Sequence, residues 1–164
     1  MNNIIIISIF FCLNLFCAVS QAQYKISEPK YEYKVYSDKK IVLYSELRHL
    51  QIENGEKIVF EYYYHNGGNT ANENEFIEKI VFEIDSNADS FEIQDNQIAS
   101  HNGYYGRPCR CKDSGWHPIS KGIINGKKLE NNNWAIDFSI VAVGRDSKIK
   151  CPKRMNEEFI LQYR

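Results

Sequence analysis

The densest chemistry in this sequence lies in one stretch, Gly106-Arg107-Pro108-Cys109-Arg110-Cys111-Lys112-Asp113-Ser114-Gly115-Trp116-His117. Two thiols one residue apart, three cations and an imidazole offer three kinds of site. A disulfide between Cys109 and Cys111 would need a tight turn. On a strand their side chains sit about 6.6 Å apart, whereas a disulfide needs Cβ atoms at about 3.8 Å. Pairing either with Cys151 closes a loop of roughly 40 residues and would stabilise by about 4 kcal/mol in the chain-entropy account. The expectation is therefore a structural disulfide from Cys151 to Cys109 or Cys111, with the third thiol left over. A competing expectation is a soft-metal site for Cu(I) or Zn²⁺ at Cys109, Cys111 and His117, with His101 nearby. A single residue between the cysteines is closer than the usual zinc spacing. The third is a thiolate activated by Arg107, Arg110 and Lys112, although the C-x-x-C of thiol-disulfide enzymes is missing.

The same cations suggest a surface. Arg107, Arg110 and Lys112 flank one pair of cysteines, and Lys148, Lys150, Lys153 and Arg154 flank Cys151. A disulfide joining the two regions would gather seven cations into one patch. The chain as a whole carries a net charge of −1. Residues 24–100 hold 8 Lys/Arg against 15 Asp/Glu, a net −7, and residues 101–164 hold 12 against 6, a net +6. Such asymmetry can mark an interaction surface, here one for an anionic glycan, a lipid headgroup or an acidic protein surface. The bland alternatives are a fold that intermixes the two halves, and a charged edge that keeps strands from pairing with other chains. A balance this close to neutral excludes a strongly basic nucleic-acid binder, and no nucleic acid is expected as a partner.

Asp85-Ser86-Asn87-Ala88-Asp89 resembles the opening of an EF-hand calcium loop at positions 1, 3 and 5, where oxygen ligands stand. The turn glycine at position 6 is Ser90 and the bidentate glutamate at position 12 is Asn96. Without them the expectation is an Asx-rich turn with no tight calcium site at Asp85, Asn87 and Asp89. Tyr62-Tyr63-Tyr64, Tyr104-Tyr105 and Trp116 raise a carbohydrate-binding module, since exposed rings can stack on sugars. In a strand Tyr63 must face away from Tyr62 and Tyr64, so at least one ring leaves the main core stripe. His49 and His65 stand in no motif. The G-x-S-x-G, H-E-x-x-H and phosphate-loop signatures are all missing, and no pair of carboxylates stands out, so the reading leans away from catalysis.

These groups must be positioned by strands. Ile58, Phe60, Tyr62 and Tyr64 alternate against Val59, Glu61, Tyr63 and His65, the period-2 pattern of a half-buried strand. Phe76–Asp85 repeats it with Phe76, Ile80, Phe82 and Ile84 on one face and Glu78 as the exception. Trp134, Ile136, Phe138, Ile140 and Ala142 form the cleanest stripe, and Phe159, Leu161 and Tyr163 read as a closing strand. Tyr31–Tyr36, Ile41–Tyr44, Phe91–Gln94 and Ile119–Ile124 are weaker candidates, and Leu47, Leu50 and Ile52 fit either a helical turn or a strand. Asn54-Gly55, Asn102-Gly103 and Asn125-Gly126 suggest two-residue hairpins, and Asn131-Asn132-Asn133 suggests another turn. The expected fold is all-β, a single antiparallel β-sandwich with a small β-barrel as the alternative.

The N-terminus completes the expectation. Ile4–Val19 is apolar apart from Ser8 and Asn14, and Ser20-Gln21-Ala22 follows in a small-x-small pattern. A run of about 16 residues is short for a bilayer span, so residues 1–22 read as a cleaved signal peptide and 23–164 as one β domain, secreted or periplasmic. The missing Lys or Arg before the run keeps an uncleaved membrane anchor as the alternative. With 43 % hydrophobic and 25 % charged residues, the chain as a whole has an ordinary globular composition. The expected function is non-catalytic binding or an accessory role.

Overall fold

Side-chain alternation turns most of the described chain into strands. The structure is a computed structural model that describes residues 28–44, 49–67, 76–108, 114–141 and 148–150. The strands are β1 (Lys30–Tyr44), β2 (His49–Asn54), β3 (Lys57–His65), β4 (Ile77–Asp85), β5 (Ser90–Gln94), β6 (Tyr104–Arg107), β7 (Gly115–Pro118), β8 (Gly122–Lys128), β9 (Trp134–Val141) and β10 (Lys148–Lys150). One helical turn, α1 (Asn96–Ser100), and a 3₁₀ turn at Glu130–Asn132 complete the elements. All the pairings are antiparallel. Hydrogen-bonded neighbours run β2-β1-β3-β4-β6-β7 in one sheet and β10-β9-β8-β5 in the other. The six-stranded sheet curls into a half-barrel.

The curl originates in β1. Tyr31–Tyr36 and Ile41–Tyr44, which look like two strands in the sequence, are one strand that bends at Asp38, where φ is 55°. The first half of β1 pairs with β3 and the second half with β2, and Lys39 stands opposite both Asn54 and Lys57. The chain from Lys30 to His65 is thus a long bent hairpin, with the Gly55 N–H donating to the Asp38 carbonyl at 3.0 Å in the bend. Its far arm folds over the second face of the sheet. Ile41 and Leu50 bury there against Val59 and Val81, with Trp116 and Tyr104 packed beside them. Glu83 fastens the arm, its buried carboxylate accepting from the Ile41 N–H at 2.7 Å and from the Asn102 side chain at 2.8 Å.

The first face of the same sheet meets the four-stranded sheet over the main core. Phe60 is fully buried, stacked on Phe82 at 4.8 Å and edge-on to Trp134 at 5.4 Å. Trp134, Ile136, Phe138 and Ile140 bury from β9 as their alternation predicts, and Ile98 of α1 fills the space between the layers. Strand β3 is covered on both faces, which is why its polar-side residue Val59 is as buried as Phe60.

Two of these expectations meet corrections, and one open alternative is decided. None of the Asn-Gly pairs makes a two-residue hairpin. Asn54-Gly55 is the bend opposite Asp38, and Asn102-Gly103 ends α1, with the Gly103 N–H donating to the Ile98 carbonyl at 2.8 Å. Asn125-Gly126 lies in the middle of β8, paired with β5 and β9. Gly126 serves a close approach there: a Cβ would come within 2.1 Å of the Phe91 ring. The strand read over Ile119–Ile124 begins only at Gly122, because Ile119 is a buried plug between the sheets whose N–H donates to the Gly103 carbonyl. Residues around Leu50 and Ile52 are strand, not helix. The Asn131–Asn133 turn is present as the 3₁₀ turn, and the closing strand at Phe159–Tyr163 lies outside the described residues.

Candidate functional site

One row of side chains crosses the six-stranded sheet at one end of its core face. The registers set Tyr31 opposite Tyr64 and Tyr64 opposite Glu78. Lys79 stands opposite Gly106, which brings Arg107 beside Glu78, and Arg107 faces Gly115. Ring, ring, carboxylate and guanidinium therefore follow one another across β1, β3, β4 and β6. Tyr31 is 44 % exposed and stacks on Tyr64 at 4.8 Å and 25°. Tyr64 meets Phe76 edge-on at 5.8 Å, and the Arg107 guanidinium lies 5.5 Å from the Phe76 ring centroid. Glu78, the exception in the β4 stripe, is buried and accepts from the Tyr105 hydroxyl at 2.8 Å. Burying a carboxylate costs heavily unless it is bonded, and Tyr105, itself buried, supplies a bond.

The other aromatic groups are placed differently. Tyr62 turns into the core against Phe138, while Tyr63 faces the opposite way with the Lys79 ammonium 5.6 Å from its ring. This is the division between faces that the alternation requires. Trp116 and Tyr104 pack in the second core cluster, where Gly106 lets the Trp116 ring lie against the strand. Tyr31 and Phe76, absent from the motif-based candidates, form the accessible aromatic surface here. Their signal was available only as single aromatic residues at strand ends.

Of the cationic candidates, Arg107 is described with its side chain, and Lys148 and Lys150 are described as backbone on β10. Lys150 pairs with Ser139, next to Phe138, and Phe138 touches Tyr62. The registers thus put β10 at the same end of the molecule as Arg107. Arg110, Lys112, Lys153, Arg154, Cys109, Cys111 and Cys151 lie outside the described residues, and with them the disulfide and soft-metal expectations. Of the two histidines in those expectations, His117 is half-buried on β7 opposite Tyr105. His101 follows α1, with its ring Nδ1 3.0 Å from the Glu83 carbonyl. Among the described residues no three His, Cys, Asp or Glu side chains gather as a metal site.

The Asp85–Asp89 turn connects the two sheets. Asp85 accepts from Lys57 at 2.5 Å, and that hydrogen bond, with the ammonium charge, holds its carboxyl below the usual aspartate range. Asp89 faces Lys128 at 3.9 Å, on another strand. The two carboxylates are each directed to an ammonium group, an arrangement unlike a shared oxygen cage for calcium. No protein-family model, curated protein or solved structure matches the chain, so its function has to be argued from its own residues.

Proposed function

We propose that this chain is an exported, non-catalytic binding protein, built as a β-sandwich, whose Tyr31–Tyr64–Phe76–Arg107 row receives an anionic glycan. The observation that carries the reading is the exposed Tyr31 ring stacked on Tyr64, with the Arg107 cation beside the adjoining Phe76 ring. Rings held flat against one another offer a rigid apolar face for the C–H side of a sugar, at small entropic cost. A guanidinium at the end of that face suits a carboxylate or sulfate, which it can meet with two parallel hydrogen bonds. Strand β10 places the backbone of Lys148 and Lys150 at the same end of the molecule.

Retention on a sulfated glycan such as heparin, compared at low and high salt, tests the reading. The wild type should be retained at low salt and released as screening rises. Tyr31→Ala and Arg107→Gln should each weaken retention, Arg107→Gln chiefly at low salt. Equal retention of both variants and wild type would sink the proposal. The export component has its own check: the mass of protein recovered from its native host should correspond to a chain starting at Gln23. A mass that retains residues 1–22 would favour the membrane-anchored alternative.

A further inference from the structure

At the end of the molecule opposite the aromatic row, four stretches that are distant in sequence converge on a cleft of about 240 Å³. Ser37 and Asp38 come from the bend of β1, Ile58 from the start of β3 and Ser86 from the turn after β4. Lys128 ends β8, and Asn132 and Trp134 bracket the start of β9. Ile58 and Tyr64 are six residues apart on β3, so the cleft and the aromatic row are about 20 Å apart. It is a separate place on the molecule and does not rest on the glycan reading.

The polar side chains at this cleft are not consumed by the fold. Among the described residues, Ser37, Asp38, Ser86 and Asn132 make no side-chain hydrogen bond or ion pair. The Lys128 ammonium faces Asp89 at 3.9 Å, beyond hydrogen-bond reach, and Asp89 is itself 85 % exposed. Two hydroxyls, a carboxylate, a carboxamide and an ammonium therefore surround a floor made by the buried Ile58 and Trp134. Five of the seven lining residues are polar, a composition that suits a hydroxylated ligand better than an apolar one.

The rim is also preformed. Asp38 and Asn132 both hold left-handed backbone, at φ 55° and 62°, which few side chains other than Asn and Asp adopt readily. Their conformations are pinned by main-chain bonds, Gly55 N–H to the Asp38 carbonyl at 3.0 Å and Leu129 N–H to the Asn133 carbonyl at 2.7 Å. Non-glycine residues in that region concentrate at ligand clamps when the surroundings hold them there.

We infer that this cleft binds a monosaccharide-sized sugar acid. The volume corresponds to about eight waters, room for one six-membered ring with its substituents. A carboxylate accepts hydrogen bonds and does not donate them, so Asp38 selects hydroxyl donors. Asn132, Ser37 and Ser86 can both donate and accept, as vicinal hydroxyls require. Lys128 supplies the one cation and receives the ligand's carboxylate. A neutral sugar adds nothing to the loose 3.9 Å approach of Lys128 to Asp89, and a simple carboxylate leaves the hydroxyl partners unused.

The probes are D-glucuronate, D-glucose and acetate, titrated separately into the folded chain while the backbone amide resonances of Ser86, Asn132 and Trp134 are followed. Glucuronate should give saturable shifts, glucose should bind about tenfold more weakly, and acetate should not saturate. Lys128→Gln should weaken glucuronate binding about tenfold and leave glucose unchanged, the loss of one charge-assisted contact. Asp38→Asn, which keeps a residue suited to the left-handed bend, should weaken both sugars. Tyr31→Ala should change none of these titrations. No saturable shift up to about 50 mM glucuronate overturns the inference. Equal affinity for glucose and glucuronate, or unchanged glucuronate binding in Lys128→Gln, overturns it as well.

Discussion

At the scale of single residues, charge partners rather than sequence motifs decide behaviour in this protein. The Asp85–Lys57 pair shows how. The hydrogen bond and the ammonium charge of Lys57 lower the Asp85 pKa, and the same bond raises that of Lys57. A carboxyl whose folded value lies below its unfolded value stabilises the fold above the ordinary aspartate value of about 3.9. That contribution disappears as the pH falls through the lower, folded value. On the alkaline side the raised Lys57 value gives a contribution that is present below the ordinary lysine value and lost as the pH climbs through the folded one. Both side chains are well exposed, 42 % and 67 %, so the effect on stability is small and screened by salt. Lys57→Met should move the Asp85 carboxyl titration, followed by NMR, back up toward the ordinary aspartate range. An unchanged titration would mean that Lys57 does not hold Asp85 in solution. Gly126 makes the complementary point for packing. Gly126→Ala should destabilise by about 1–3 kcal/mol, read as a lower denaturant midpoint, because the added methyl meets the buried contact of Phe91 with β8.

At the scale of elements, the long hairpin from β1 to β3 is the unusual part. Its near half lies in the sheet over the main core, and its far arm covers the second face. The arm buries few residues of its own, so the Glu83 carboxylate has a large share in holding it. Glu83→Ala removes the acceptor from the Ile41 N–H and from Asn102. The expected cost is about 1–3 kcal/mol, since a buried donor loses its acceptor. Hydrogen exchange distinguishes local from global effects. The amides of Ile41 and its neighbours on the arm should lose protection in Glu83→Ala, while those of β9 keep theirs relative to global stability. Uniform loss across both sheets would show instead that the arm opens only when the whole molecule unfolds.

At the scale of the whole molecule, the two layers share one core, and Phe60 touches both. Its ring stacks on Phe82 within its own sheet and meets Phe91 and Trp134 of the other. Phe60→Ala should cost about 3–5 kcal/mol in a single cooperative transition. Two separate transitions would show that the sheets unfold independently. The two proposed sites lie at opposite ends of this shared core. Their variants should behave independently, with the stability changes of Tyr31→Ala and Lys128→Gln adding within about 0.5 kcal/mol. A larger coupling would require the core to transmit strain between the ends.

Some of this was determined by the sequence alone. The alternation of β3, β4 and β9, the opposed faces of Tyr62 and Tyr63, and the turn at Asn131–Asn133 all depend on neighbouring residues. Side chains in a strand change face at every step whatever the strand pairs with. The all-β character follows from the same local signals, whereas the Asn-Gly pairs that suggest antiparallel hairpins form none of them. The tertiary structure decided the rest, because it depends on which strand lies beside which. Whether Asn125-Gly126 is a turn or a strand interior depends on the Phe91 ring that arrives from β5. Whether Glu78 is an exposed exception or a buried, hydrogen-bonded group depends on Tyr105 in β6. Tyr31, Tyr64, Glu78 and Arg107 span 77 residues of sequence and become a row only through three strand registers. The cleft around Asp38 and Lys128 likewise exists only because four separate stretches are folded to one end. Registers and layer packing are set by the summed burial of many distant side chains, a quantity that no local pattern contains.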